Sequence, residues 1–207
     1  MSADIICGQL NNDTHGNHRD RRQHLLVRLR RSLLAGLGVL ALISASGMST
    51  GALAQSVEEH DAKAAFVLKL VNFVQWPTDA NHDLVIGFVG ADATGDALQR
   101  LAYGKPVNGR TIVVRRLMHD GDLKACQVIY VGASERKNMP LMLERLRGSS
   151  VLTVGEYDGF GQHGGIVNLL ANGGRIRFEV NPHAAERAHL QISSRLLSLA
   201  TIVADGS

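Results

Sequence analysis

Beyond residue 55 the chain carries His60, His82, His119, His163, His183 and His189, the side chains best suited to proton transfer or metal binding near neutral pH. A zinc site built locally needs close spacings, such as two imidazoles one helical turn apart or paired cysteines. No two of these histidines stand so. His183 and His189 are six residues apart, and Cys126 is far from any second cysteine. Surface and capping roles are expected for them, with no metal and no cofactor. A Gly-x-Ser-x-Gly nucleophile elbow is absent. Asp120 with Asp122, or Glu156 with Asp158, would share one side of an extended segment. A glycosidase needs such a pair across a sugar cleft, which spacing alone does not supply. Gly87, Gly90 and Gly95 match neither the dinucleotide fingerprint nor a phosphate loop with its lysine. Turn-making and close helix approach account for them. The expectation is a protein that is not an enzyme.

Charge narrows the partners. The chain has 207 residues and a net charge of +3. Arg19, Arg21, Arg22, Arg28, Arg30 and Arg31 face only Asp4, Asp13 and Asp20 before residue 55, so the leader holds the whole excess. The neutral body has no general attraction to nucleic acid. Within the leader, Arg28, Arg30 and Arg31 precede an apolar run from Leu33 to Ile43, and Ala52-Leu53-Ala54 stands before Gln55. That order is a secretory signal peptide. The run falls short of the roughly 20 residues of a membrane span. Residues 1–54 are read as an N-terminal extension with a cleaved signal peptide, and 55–207 as a single exported domain.

The elements that position the side chains follow from periodicity. Ala62, Phe66, Leu70 and Phe73 form an apolar stripe that predicts a helix over 58–75, ended by Trp76-Pro77. Lys63 and Lys69 would leave the stripe or snorkel along it. Leu84–Val89 reads as a buried strand, 94–101 as a short helix, Ile112–Val114 and Gln127–Val131 as strands, and a helix follows Ser134 or begins near Pro140. Val151–Val154 is another strand. Ile166–Leu170 and Arg175–Val180 pair as a hairpin through Asn172-Gly173-Gly174. Asn181 with Pro182, and Ser193 or Ser194, start two final helices. The fold class is α/β, a mixed sheet flanked by helices on both faces, with a C-terminal antiparallel hairpin followed by two short helices.

Candidate contact residues are Trp76 at a helix end, Tyr157 and Phe160 in the glycine-rich segment 155–165, and Arg177 with Glu179 on the polar face of a strand. They combine large contact area with polar reach, as interface anchors do. Phe160 has a second reading, a plug inserted into the core. Arg110, Arg115 and Arg116 flank one strand, where they form local ion pairs or meet an anionic ligand or acidic partner. Cys126, alone in the body, is a buried thiol or a site of intermolecular redox pairing.

The body resembles the YfiR family of periplasmic regulators. The likeness lies in Lys63-Ala64-Ala65-Phe66 and Val71 through Pro77, in Gly104 through Arg110, in Cys126 through Val131, and in blocks from Val151 to Asn181 and Ser193 to Ala200. They stand in family order across residues 58–203. The resemblance implies a periplasmic α/β protein, often a homodimer. It would bind the periplasmic sensory region of an inner-membrane diguanylate cyclase and lower cyclic-di-GMP synthesis, affecting biofilm formation and motility. An outer-membrane lipoprotein would sequester it. Some members are disulfide-bonded; the body of this chain has only Cys126 for that purpose. The alternative is a periplasmic small-molecule-binding sensor without direct cyclase repression.

Overall fold

The structure, a computed structural model, describes residues 50–77, 83–91, 93–107, 109–172 and 175–206. The expected leader up to residue 49, His82, and Gly173 and Gly174 of the expected turn lie outside the described residues.

Helix α1 spans Thr50–Leu70 and tightens into a 3-10 turn at Val71–Phe73. The expected helix to residue 75 therefore stops early, because the residues ahead of Trp76-Pro77 become extended. They form strand β1, Val74–Gln75, which pairs antiparallel with β8, Gln191–Ile192. The buried face also differs from the expected stripe. Ala62 is exposed, whereas Lys63, Ala64, Val67, Leu70 and Val71 are buried. Phe66 sits at the border of the core, its ring centroid 4.9 Å from that of Phe178.

The main sheet has seven strands. In chain order, β2 is Leu84–Val89, β3 Ile112–Leu117, β4 Val128–Val131, β5 Leu152–Gly155, β6 Val167–Asn172, β7 Arg175–Val180 and β9 Thr201–Ile202. Their order across the sheet is β3-β2-β4-β5-β6-β7-β9. The first five run parallel, β7 is antiparallel to β6, and β9 is parallel to β7. Helix α2, Ala93–Ala102, follows β2, and α3, Met139–Leu146, follows β4 with Pro140 in its first turn. Helix α4, Pro182–Arg187, is capped by Asn181, whose Oδ1 accepts the Ala184 N–H at 3.0 Å. Helix α5, Ser194–Leu197, is capped by Ser193 Oγ.

Alternation along the central strands divides the core. Ile86, Phe88, Val128, Tyr130, Leu152 and Val154 pack with α1, α2, α4 and α5. Val89, Ile129 and Val131 face the other way, with Met139, Met142 and Leu146 of α3 and with Phe160. Burial on both faces explains why β2 and β4 read as continuous apolar runs. The glycines near β2 have the structural roles expected of them. Gly90 takes φ +114° in the turn after the strand, and a Cβ on Gly95 would overlap the Phe88 ring, so α2 approaches β2 closely there.

Candidate functional site

Open parallel sheets place functional groups past the carboxyl ends of their strands, where the connections diverge. Here β2 leads outward to β3 while β4 lies on its other side, so the divergence falls between β2 and β4. The middle of α1 meets this edge. His60 Nδ1 lies 2.9 Å from Thr94 Oγ1, on the helix that follows β2. One turn on, Lys63 Nζ donates to Glu59 Oε1 at 2.7 Å and to Glu156 Oε2 at 3.0 Å, just past β5. Burial by itself pulls the Lys63 pKa down, but the two carboxylates outweigh it through hydrogen bonds and charge, and the net shift is upward. A lysine held so firmly charged is a structural clamp rather than a base. Sequence periodicity missed it, because the partner that makes its burial tolerable is 93 residues away.

The segment after β5 closes on itself around Phe160, which is fully buried. A Cβ on Gly155 or on Gly165 would overlap the Phe160 ring, so the two glycines leave the space that the ring fills. Tyr157 stands edge-on to it, with centroids 5.3 Å apart, and the Arg136 guanidinium lies 5.5 Å from the Tyr157 ring. Burial pushes the Tyr157 hydroxyl pKa up, and Arg136 only partly offsets this. Of the two readings for Phe160, the core plug is the one its burial matches. Neither aromatic presents a broad face to solvent.

Strand β7 does present one. Arg177 is exposed and Glu179 half-buried, on the side opposite Ile176 and Phe178. Across the hairpin, Asn168 is fully buried and its Nδ2 donates to Glu179 Oε2 at 3.0 Å. The Asn168 Oδ1 is buried and has no partner.

Trp76 lies elsewhere. It lines a recess of about 250 Å³ with Ser150 and Val151, which precede β5, whereas Glu156 and Tyr157 follow that strand. The expected contact residues thus divide between the two ends of β5. Cys126 lines the same recess but is only 3% exposed, and burial is the main force raising its thiol pKa. Two of the three arginines also separate. Arg116 is committed to Asp96 at 2.6 Å and to the Gly90 carbonyl at 3.1 Å, with its guanidinium 4.5 Å from the Phe88 centroid, whereas Arg110 lines the Trp76 recess.

A larger cavity of about 720 Å³ lies between α3, α4 and the C-terminal tail. Its rim holds a two-point ion pair, Arg187 to Asp205 at 2.7 and 2.9 Å, reinforced by Asn181 Nδ2 to Asp205 Oδ1 at 2.8 Å. Arg187 is the main cause of the lowered Asp205 pKa. Among the described residues no three or more His, Cys, Asp or Glu side chains gather as metal ligands would, and no helix is long and apolar enough to cross a membrane.

The YfiR/HmsC-like family model matches residues 60–201, and the chain belongs to that family. The family's theme is regulation in cyclic-di-GMP signalling rather than catalysis. A solved structure, a conserved domain protein from Vibrio cholerae O1 biovar El Tor str. N16961, is similar at 15% identity with a TM-score of 0.49. The match covers 69% of this chain and 59% of that one, so this chain spans less than two thirds of the solved protein's length.

Proposed function

We propose that this chain is a periplasmic negative regulator that binds the periplasmic sensory region of an inner-membrane diguanylate cyclase and lowers cyclic-di-GMP synthesis. The family match over residues 60–201 is the observation that carries this reading. On this account residues 1–54 direct export and are removed after Ala54, leaving Gln55–Leu70 of α1 in the mature domain. The chain performs no chemistry. It biases the cyclase toward an inactive state by binding that state more tightly. Capture by an outer-membrane lipoprotein would release the cyclase by lowering the free repressor, and the repressor itself would act as a homodimer.

The contact surface we favour is the outward face of β7, centred on Arg177 with Glu179 beside it. Arg177 is exposed and has the fork of donors suited to an acidic partner surface. The half-buried Trp76 marks a second surface at the far end of β5. The cavity of about 720 Å³ favours one other reading, a periplasmic sensor that binds a small molecule without repressing a cyclase directly. Co-purification from envelope extracts separates the two. The account expects a membrane diguanylate cyclase to be retained by the wild-type chain and lost with Arg177→Glu. Retention of no cyclase by the folded wild-type chain would favour the sensor.

A further inference from the structure

We infer that residues 203–206 form a releasable strap, which closes one side of the cavity of about 720 Å³ and opens while the sheet stays folded. The inference is independent of any cyclase partner. The strap leaves β9 and meets residues 161–164, the part of the glycine-rich segment that follows Phe160. Asp205 and Gly206 of the strap line the cavity, and so do Gln162 and Gly164.

Three parts of the chain meet at one side chain. Asn181 is fully buried, and its Oδ1 accepts the Ala184 N–H in the first turn of α4. Its Nδ2 donates to the Gly161 carbonyl at 2.9 Å and to Asp205 Oδ1 at 2.8 Å. Arg187, at the other end of α4, holds both oxygens of the same carboxylate. The Gly206 N–H donates to the Gln162 carbonyl at 2.7 Å, and the Val203 N–H to the Val180 carbonyl at 3.0 Å. Val203 packs against Gly161, where a Cβ would stand 2.6 Å from its Cγ2. Strap, glycine-rich segment and α4 are therefore one connected unit.

The unit is built to open locally. Ala204, Asp205 and Gly206 are exposed, so the strap is held chiefly by polar contacts that water can replace. Closure also carries a cost. The Gln162 Oε1 is buried with no partner among the described residues, and opening lets water reach it. Phe160 is the opposite case, fully buried between Gly155 and Gly165, and it stays seated. Opening thus moves the strap and residues 161–164, widens the cavity and frees the Arg187 fork at its rim. Whatever prefers the widened cavity shifts the strap away from its closed state, which makes it a regulatory element.

Native-state hydrogen exchange on the full-length chain, resolved amide by amide by NMR, tests this. In the wild type the Gly206 and Gly164 amides should exchange at rates that low urea hardly changes, because opening the strap exposes little surface. The Ile129 and Val131 amides of the central strand should accelerate with urea. Asp205→Ala should speed exchange at Gly206 and Gly164 together by at least about tenfold, as loss of a charge-assisted contact does. Asp205→Asn, which keeps an oxygen for Asn181, should speed both less. Urea dependence at Gly206 and Gly164 equal to that at Ile129, or an acceleration in Asp205→Ala confined to Gly206, would overturn the inference.

Discussion

Lys63 Nζ lies 3.0 Å from Glu156 Oε2, and both side chains are more than nine-tenths buried. The pair fastens the first helix to the segment that leaves β5. Removing one member strands the other charge in a poorly solvated place, which generally costs about 3–5 kcal/mol. Lys63→Met should therefore lower the unfolding free energy by about 3 kcal/mol. Lys63→Met with Glu156→Leu should recover most of the loss. Urea denaturation of the set measures both.

The same clamp has a pH signature. The folded-state pKa of Lys63 is raised above its ordinary value of 10.5. Its contribution is therefore fully present below that value and is lost as pH rises through the folded pKa. Stability measured between pH 7 and 11 should decline at the alkaline end in the wild type, and less so in the double variant.

Asp205 behaves in the opposite sense. Its pKa is lowered, first by Arg187 and then by Asn181, so its contribution is present above the ordinary value of 3.8 and is lost as pH falls through the folded pKa. Asp205→Asn should flatten the acid limb of a melting-temperature profile while leaving the alkaline limb unchanged.

Phe160 and its two glycines form a coupled unit. Phe160→Ala should cost about 3–5 kcal/mol, as expected for a large ring removed from a packed core. Gly165→Ala should be severe in the wild type and much milder where Phe160 is already Ala. A double-mutant cycle on urea midpoints measures that coupling.

The Cys126 thiol, buried and with its pKa raised chiefly by desolvation, should resist an alkylating reagent while the chain is folded. It should react at the ordinary rate in denaturant. Timed mass spectrometry of labelled protein compares the two. An intermolecular disulfide at this position would require local opening.

What could be read from residues alone followed the range of the interactions involved. The hairpin of β6 and β7 announced itself through the alternation of Ile176, Phe178 and Val180 beside turn-forming residues. The Asn181 and Ser193 caps were likewise local signals, each completed within three residues. The buried runs of β2 and β4 were legible because both faces of a central strand are covered. Strands β1, β8 and β9 escaped notice, since two residues carry no period. The face of α1 was misplaced for a different reason. A lysine looks like a surface residue unless its carboxylate partner is known, and Glu156 is distant in sequence. Nor did sequence indicate that Trp76 and Arg177 lie toward opposite ends of the sheet, because that separation depends on the crossover order.

The most direct test of the central claim is the cellular cyclic-di-GMP level after deletion of the gene and complementation in place. The account predicts a rise on deletion, return to the original level with the wild-type chain, and no return with an equally abundant, folded Arg177→Glu chain. An unchanged level on deletion would contradict repression of a cyclase, and full restoration by Arg177→Glu would contradict the proposed surface.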